Sequence, residues 1–259
     1  LIETTPDLIS REVGISADGK VLASANDNIV TIFDWETGQQ LGQAEMNTGV
    51  DGVYSNAMEI EVSQDGRLVA VASSDQNVWL FTKEGSLIGL LPNFLVTSSV
   101  DISTDGRLIV SGDWDNTVYL WSASSQSQLA KWTHELRVNS VRFNPDATLI
   151  ASTSDDGTAV LWRVSDGSKV TTLNHNVDVL NADFSPDGTK LATVALDGLL
   201  RIWDVDRNSA EFGTVIDQST GLYNAINGLA ILPDGRILID TRPEAQIAVS
   251  PDGTQIARA

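Results

Sequence analysis

The sequence contains no cysteine, so disulfides, thiolate metal sites and cysteine nucleophiles are all excluded. That absence leaves the compartment open, because a cysteine-free chain suits either redox environment. Histidine is almost absent too: His134 and His175 are the only two, which leaves little material for a general base near neutral pH. Positive charge is scarce, with 16 Lys and Arg against 35 Asp and Glu and a net charge of −19. A field of that sign repels phosphate backbones and opposes adsorption to an anionic membrane, while it favours basic partners. It also keeps an edge-rich chain soluble. No long uninterrupted apolar run is present, so no membrane-spanning helix is written here. No signal peptide is visible either, and a start at Leu1 rather than Met is compatible with a mature or trimmed product. The chain has no G-x-S-x-G elbow, H-E-x-x-H pair, Walker loop or G-x-G-x-x-G ahead of a helix.

What the chain does have is one sentence written five times. Residues 139–162, NSVRFNPDATLIASTSDDGTAVLW, read as strand, tight turn, strand, tight turn, strand. Val141 and Phe143 alternate along the first strand, and Pro145-Asp146 and Asp155-Asp156-Gly157 supply turn chemistry. Related stretches end at Phe33, Phe81, Trp121 and Trp203. Each closing aromatic follows an aspartate by six residues: Asp27, Asp75, Asp115, Asp156 and Asp197. Both markers recur at separations of 48, 40, 41 and 41 residues, and two independent markers keeping one period make a repeat. Several short strands in a period near 40 is what a β-propeller blade requires, because no small sheet can bury both faces alone and blades must stack in a ring.

The fold class expected is therefore all-β: a single propeller domain over 1–259, built of four-stranded antiparallel blades at about 11–43, 57–91, 98–132, 139–173, 181–216 and 226–258. Residues 1–10 precede the first repeat as a short strand or a tail. Residues 43–56 form a longer loop that accounts for the 48-residue spacing and carries Tyr54. The last unit is degenerate, with turns at 233–235 and 251–253 that fit two hairpins of one blade. Six blades are expected; the alternative is a seven-bladed ring whose truncated last blade starts near Ile247.

The stretch WTHELRVNSVRFNPDATLIASTSDDGTAVLWRV resembles the WD40-repeat propellers, and the resemblance extends well over 11–205 and weakly over 224–259. In that family a His before the first strand, a Ser or Thr on the second, an Asp in the next turn and a Trp on the third form a buried hydrogen-bonded tetrad. The resemblance implies His134, Ser152, Asp156 and Trp162 in blade four, and His175, Thr193, Asp197 and Trp203 in blade five. Blade three keeps Ser111, Asp115 and Trp121 without a His in LVTSS. Blades one and two have Ala23 and Val71 at the hydroxyl position and Phe33 and Phe81 in place of Trp. The looser repeats also resemble those of prokaryotic propellers.

Function is weighed on what remains. Histidines that repeat with the blade period serve as structural donors, so no enzyme is expected. The aspartate clusters at 113–115 and 154–156 lack a D-x-D-x-D-G loop, so no metal or cofactor is expected either. Trp79 is assigned to packing between blades. Trp114 stands apart: it lies in the turn just before the repeat's Asp115, where the other blades carry Asn26, Ser74, Asp155 and Leu196. A large aromatic on that rim has no core to join, and Trp is favoured at binding hot spots. The expected site is a rim formed by Trp114, Asn26, Ser74, Asp155, Leu196, Arg137 and Tyr54. The expected partner is a protein or peptide, with basic chemistry favoured, met by a scaffold or sensor module of a larger protein. The alternative is a small-molecule or carbohydrate site over the central channel, lined by aromatic and carboxylate side chains.

Overall fold

The structure, a computed structural model, describes residues 12–16, 18–49, 55–219, 228–232, 236–240, 247–249 and 256–258. Tyr54, the segment 1–11 and the turns at 233–235 and 251–253 lie outside the described residues. The described residues form strands and no helix.

Each repeat folds as a four-stranded antiparallel meander. Blade one contains β1 (Glu12–Ile15), β2 (Val21–Asn26), β3 (Ile29–Asp34) and β4 (Gln40–Glu45). Blade two contains β5 (Ala57–Val62), β6 (Leu68–Ser73), β7 (Asn77–Thr82) and β8 (Leu87–Pro92). Blade three contains β9 (Thr97–Ile102), β10 (Leu108–Asp113), β11 (Thr117–Ser122) and β12 (Gln128–Thr133). Blade four contains β13 (Val138–Phe143), β14 (Leu149–Ser154), β15 (Thr158–Arg163) and β16 (Lys169–Asn174). Blade five contains β17 (Val179–Phe184), β18 (Lys190–Ala195), β19 (Leu200–Asp204) and β20 (Val215–Ser219). In every blade the strands pair in sequence order.

Two further sheets follow, β21 (Gly228–Ile231) with β22 (Ile237–Asp240) and β23 (Ile247–Val249) with β24 (Ile256–Arg258). Among the described residues these two hairpins are separate sheets, where one continuous four-stranded blade was expected. Strand β21 lies beside β17, and β23 lies beside both β21 and β1, so the succession of innermost strands runs round to blade one.

The reason for a ring is visible in burial. The second strand of blade four, LIASTS, is buried along its whole length, so both faces need cover that one sheet cannot give. Neighbouring blades supply it. Val30, Ile32, Ile60, Trp79 and Phe81 pack between blades one and two; Leu80, Leu91, Val100, Ile109 and Trp121 pack between two and three. Val110, Trp132, Phe143 and Trp162 fill the gap between three and four, and Leu161, Leu173, Phe184 and Trp203 fill that between four and five. Leu229 continues the pattern against Val194 and Ile202. Trp79 stacks on Phe81 at 6.0 Å between centroids, as side chains two apart on a strand must share a face. Gly112 marks how closely blades approach: a Cβ there would sit 2.6 Å from Val138 Cγ1.

Two hydrogen-bond systems fix the turns and the axis. At one end, a Ser or Asn and an Asp two residues on close each first turn: Ser63 Oγ donates to Asp65 Oδ1 at 2.8 Å and accepts from Leu68 N at 2.9 Å, and Ser16, Ser103 and Ser185 repeat the arrangement. Along the axis, side chains of one inner strand accept from backbone amides of the next. Glu59 Oε2 accepts from Val100 N at 2.8 Å, Asp101 Oδ2 from Phe143 N at 2.6 Å, and Asp183 Oδ2 from Ile231 N at 2.9 Å.

Candidate functional site

Buried tryptophans set the geometry of the rim turns. In blade four, Trp162 Nε1 donates to Ser152 Oγ at 2.8 Å, Ser152 Oγ lies 2.7 Å from His134 Nε2, and His134 Nδ1 lies 2.9 Å from Asp156 Oδ2. One proton arrangement satisfies all four groups: Nδ1–H donates to Asp156, and the serine hydroxyl donates to Nε2 while accepting from the indole. Burial pushes the His134 pKa down despite the attraction of Asp156, so this is a neutral histidine in a structural chain. Ser152 is fully buried, and its hydroxyl is shared between the Trp162 indole and His134, so the chain ties β14 and β15 to the segment that enters the blade.

Blade five builds three quarters of the same chain. Trp203 Nε1 donates to Thr193 Oγ1 at 2.8 Å, and Thr193 lies 2.8 Å from His175 Nε2. His175 Nδ1, however, turns to the Leu173 carbonyl at 3.1 Å, and Asp197 is held by Arg201 at 2.6 Å instead. The cause is Arg201, four residues after Asp197, which carries a full charge where His175 is neutral. Burial, helped by Arg201, lowers the His175 pKa to about 4. In blade three Asn93 takes the place of the histidine, with its amide 3.2 Å from Ser111 Oγ, which accepts from Trp121 Nε1 at 2.9 Å. Asn93 lies 41 residues before His134, upstream of the LVTSS stretch. Blade two solves the problem differently, with Trp79 Nε1 donating to Asp75 Oδ2 at 2.9 Å.

On the rim above these chains the structure brings Trp114, Arg137 and Asp155 together. The Arg137 guanidinium carbon stands 5.6 Å from the centroid of the Trp114 ring, and Arg137 Nε donates to Asp155 Oδ2. Asn139 completes the link, donating to Asp155 Oδ1 at 2.7 Å and to the Val179 carbonyl of the next blade at 2.9 Å. Trp114 is thus steadied by a cation on its face while 41% of its surface stays exposed. Leu196 projects from the corresponding turn of blade five, 61% exposed. Ser74 is bound to Asn56 through both its amide and its hydroxyl, and Asn26 is exposed at the end of β2. Tyr54 lies outside the described residues.

The rim contains apolar residues that sequence reasoning passed over. Phe94 and Leu95, in the loop entering blade three, and Leu136, in the loop entering blade four, are exposed beside Trp114 and Arg137. Phe94 N donates to Asp113 Oδ2 at 3.2 Å and Trp114 N to the Val96 carbonyl at 3.0 Å, which ties that loop to the Trp114 turn. A search of the entry loops for apolar residues without a strand pattern finds them. With Leu196 they make an unusual density of large apolar side chains for a solvent-facing rim.

The axis carries a second group of charges. Arg142 reaches across blade three to Glu59, with Nη2 2.6 Å from Oε1 and Nη1 3.3 Å from Oε2. Glu61, Asp101 and Asp183 surround it on neighbouring inner strands. Burial raises the Asp101 pKa to about 7 and that of Asp183 to about 6, and burial with the nearby Asp101 charge holds Glu61 well above its usual range. Burial works against the Arg142 charge, but Glu59 and Glu61 outweigh it and keep the guanidinium protonated. The signal was in the sequence: Glu61, Asp101, Arg142 and Asp183 follow one another at 40, 41 and 41 residues. These carboxylates are engaged by neighbouring amides and by Arg142, so their first role is to stitch inner strands together.

A family model described as WD domain, G-beta repeat matches residues 93–122, 126–163 and 167–204. The three matches run from Asn93, just after β8, to the end of β19, where the buried tryptophan chains are best formed. No curated protein matches the chain.

Proposed function

We propose that this β-propeller, whose residues 93–122, 126–163 and 167–204 match the WD40 repeat, is a non-catalytic scaffold of the WD40 type that binds a partner protein through the rim around Trp114. WD40 domains are generally protein-interaction scaffolds, and the observation that carries the finer reading is Trp114 itself: a large aromatic covered by Arg137, which Asp155 holds in turn, with Phe94, Leu95 and Leu136 exposed beside it. A rigid, partly desolvated aromatic bordered by apolar neighbours is what a hot spot needs, because little entropy is lost when it is covered.

The chemistry of the partner follows from charge. Asp115 and Glu135 are exposed beside the apolar side chains, and Arg137, the cation at the centre of the group, is already paired. A partner presenting an apolar anchor flanked by Lys or Arg fits this surface best, and the net charge of −19 would speed its approach.

The test is to identify proteins cross-linked to the wild-type chain and measure the affinity of each for Trp114→Ala. Loss of an exposed indole and its cation contact should weaken binding by about 2 kcal/mol or more, roughly thirtyfold, with the unfolding transition unchanged. Equal affinity of the variant for every partner would remove the rim from the reading.

A further inference from the structure

We propose a second, lateral docking site on the outer edge of blade two, where strand β8 takes up an extended apolar segment of another protein carrying flanking basic residues. The argument is a comparison inside the molecule. The outermost strand of all five blades starts with a bulge, at Leu41, Ile88, Leu129, Val170 and Ile216, so their positions align without ambiguity. One residue before the bulge the blades carry Gln40, Leu87, Gln128, Lys169 and Val215; two residues after it they carry Gln43, Leu90, Lys131, Thr172 and Gln218. Four blades thus place a polar side chain on the open edge at the second position, and three of them do so at the first as well. Blade two alone is apolar at both, and β8 as a whole, LIGLLP, has no polar side chain.

Polar and charged residues on an outer strand are how a sheet keeps its open edge from pairing with other chains. Their absence in β8 leaves Leu87 55%, Ile88 41% and Leu90 37% exposed, with Leu129 of blade three also exposed. Gln126 of the blade-three turn donates to the Ile88 carbonyl at 3.2 Å and packs over Gly89, which joins the Leu129 side of blade three to the patch. The bulge at Ile88 and the missing N–H of Pro92 confine backbone pairing to Gly89–Leu91, so side-chain burial carries most of the affinity.

Area and charge choose the occupant. The four side chains offer roughly 300 Å² of apolar surface, well under the ~800 Å² each partner buries in a standard protein interface, so the patch is too small to hold a second copy by itself. Two copies at −19 each also repel. A short extended segment needs no more area than this, and Lys or Arg at its ends complements the net charge.

The double substitution Leu87→Gln with Leu90→Lys installs the residues that blade three carries at the same positions, so the fold is retained. The probe is a labelled peptide, Lys-Val-Thr-Val-Thr-Val-Lys, titrated by fluorescence anisotropy against the full chain. Expected is saturable binding that weakens at least tenfold in the double variant and is unchanged in Trp114→Ala, which separates this site from the rim. Equal binding to the double variant, or none to the wild type, overturns the proposal. Sedimentation equilibrium supplies the other arm: a wild-type dimer that the double variant abolishes would assign the edge to a second copy and overturn the choice of occupant.

Discussion

The hydrogen-bond chain of blade four can be broken at one atom. Replacing Ser152 with Ala removes the hydroxyl that joins Trp162 Nε1 at 2.8 Å to His134 Nε2 at 2.7 Å. Ser152 is fully buried and the His134 side chain is 1% exposed, so water has no route to either group. Two buried polar atoms are left without partners, each worth about 1–3 kcal/mol, so a loss of about 2–6 kcal/mol is expected. In a domain that holds about 5–15 kcal/mol in total this is a large fraction, and it corresponds to a fall in Tm of roughly 4–24 °C. Urea denaturation followed by tryptophan fluorescence measures it. Blades one and two indicate the rescue. They combine Ala23 with Phe33 and Val71 with Phe81, losing the hydroxyl and the indole together. Ser152→Ala with Trp162→Phe should therefore cost about 1 kcal/mol less than the two single changes added. A single-variant loss below about 1 kcal/mol, or strict additivity in the pair, would refute the reasoning, since either would mean that these groups find other partners.

The axis predicts a pH dependence. Asp101, Asp183 and Glu61 have raised pKa values, so the folded chain holds protons that the unfolded chain has released; their contribution is full below pH 4 and is lost as pH rises through about 6 and 7. His134 and His175 have lowered values, so their contribution is full above the unfolded value of 6.5 and is lost as pH falls, for His175 towards 4. Above the unfolded histidine value of 6.5 only the carboxyl loss remains, so stability should decline by about 1 kcal/mol or more between about pH 6.5 and pH 8. Asp101→Asn, which keeps an acceptor for Phe143 N, should reduce that alkaline decline; a decline of the same size in the variant would show that Asp101 is not its source. Gly112→Ala should destabilise by about 1–3 kcal/mol, because its Cβ must displace Val138 between blades three and four. A denaturation midpoint equal to wild type would show that the blades can part there at no cost.

The blade plan was legible in the sequence because it rests on local chemistry repeated five times. Turn residues such as Asp146 and Asp187 fix where strands end, and Trp121, Trp162 and Trp203 recur at the period of the sheet. Ser152 and Thr193 came from the resemblance to WD40 repeats, and each hydroxyl lies on the strand paired with that of its indole, ten residues before it. The partner of each histidine was not legible. Asp156 and Asp197 occupy equivalent turns, yet only Asp156 reaches its histidine, because Arg201 competes for Asp197 and the competition depends on side-chain direction.

What the sequence by itself determined is the repeating unit, since a strand's neighbours within a blade are set by turns of a few residues. What only the tertiary structure decided is what meets across blades. Trp114 and Arg137 are 23 residues apart, Glu59 and Arg142 are 83 apart, and no pattern of period 41 says which pair will touch. Closing the ring brings inner strands together on the axis and entry loops together on the rim. Charge and exposed apolar surface then acquire partners, or lack them, according to where each blade falls in the circle.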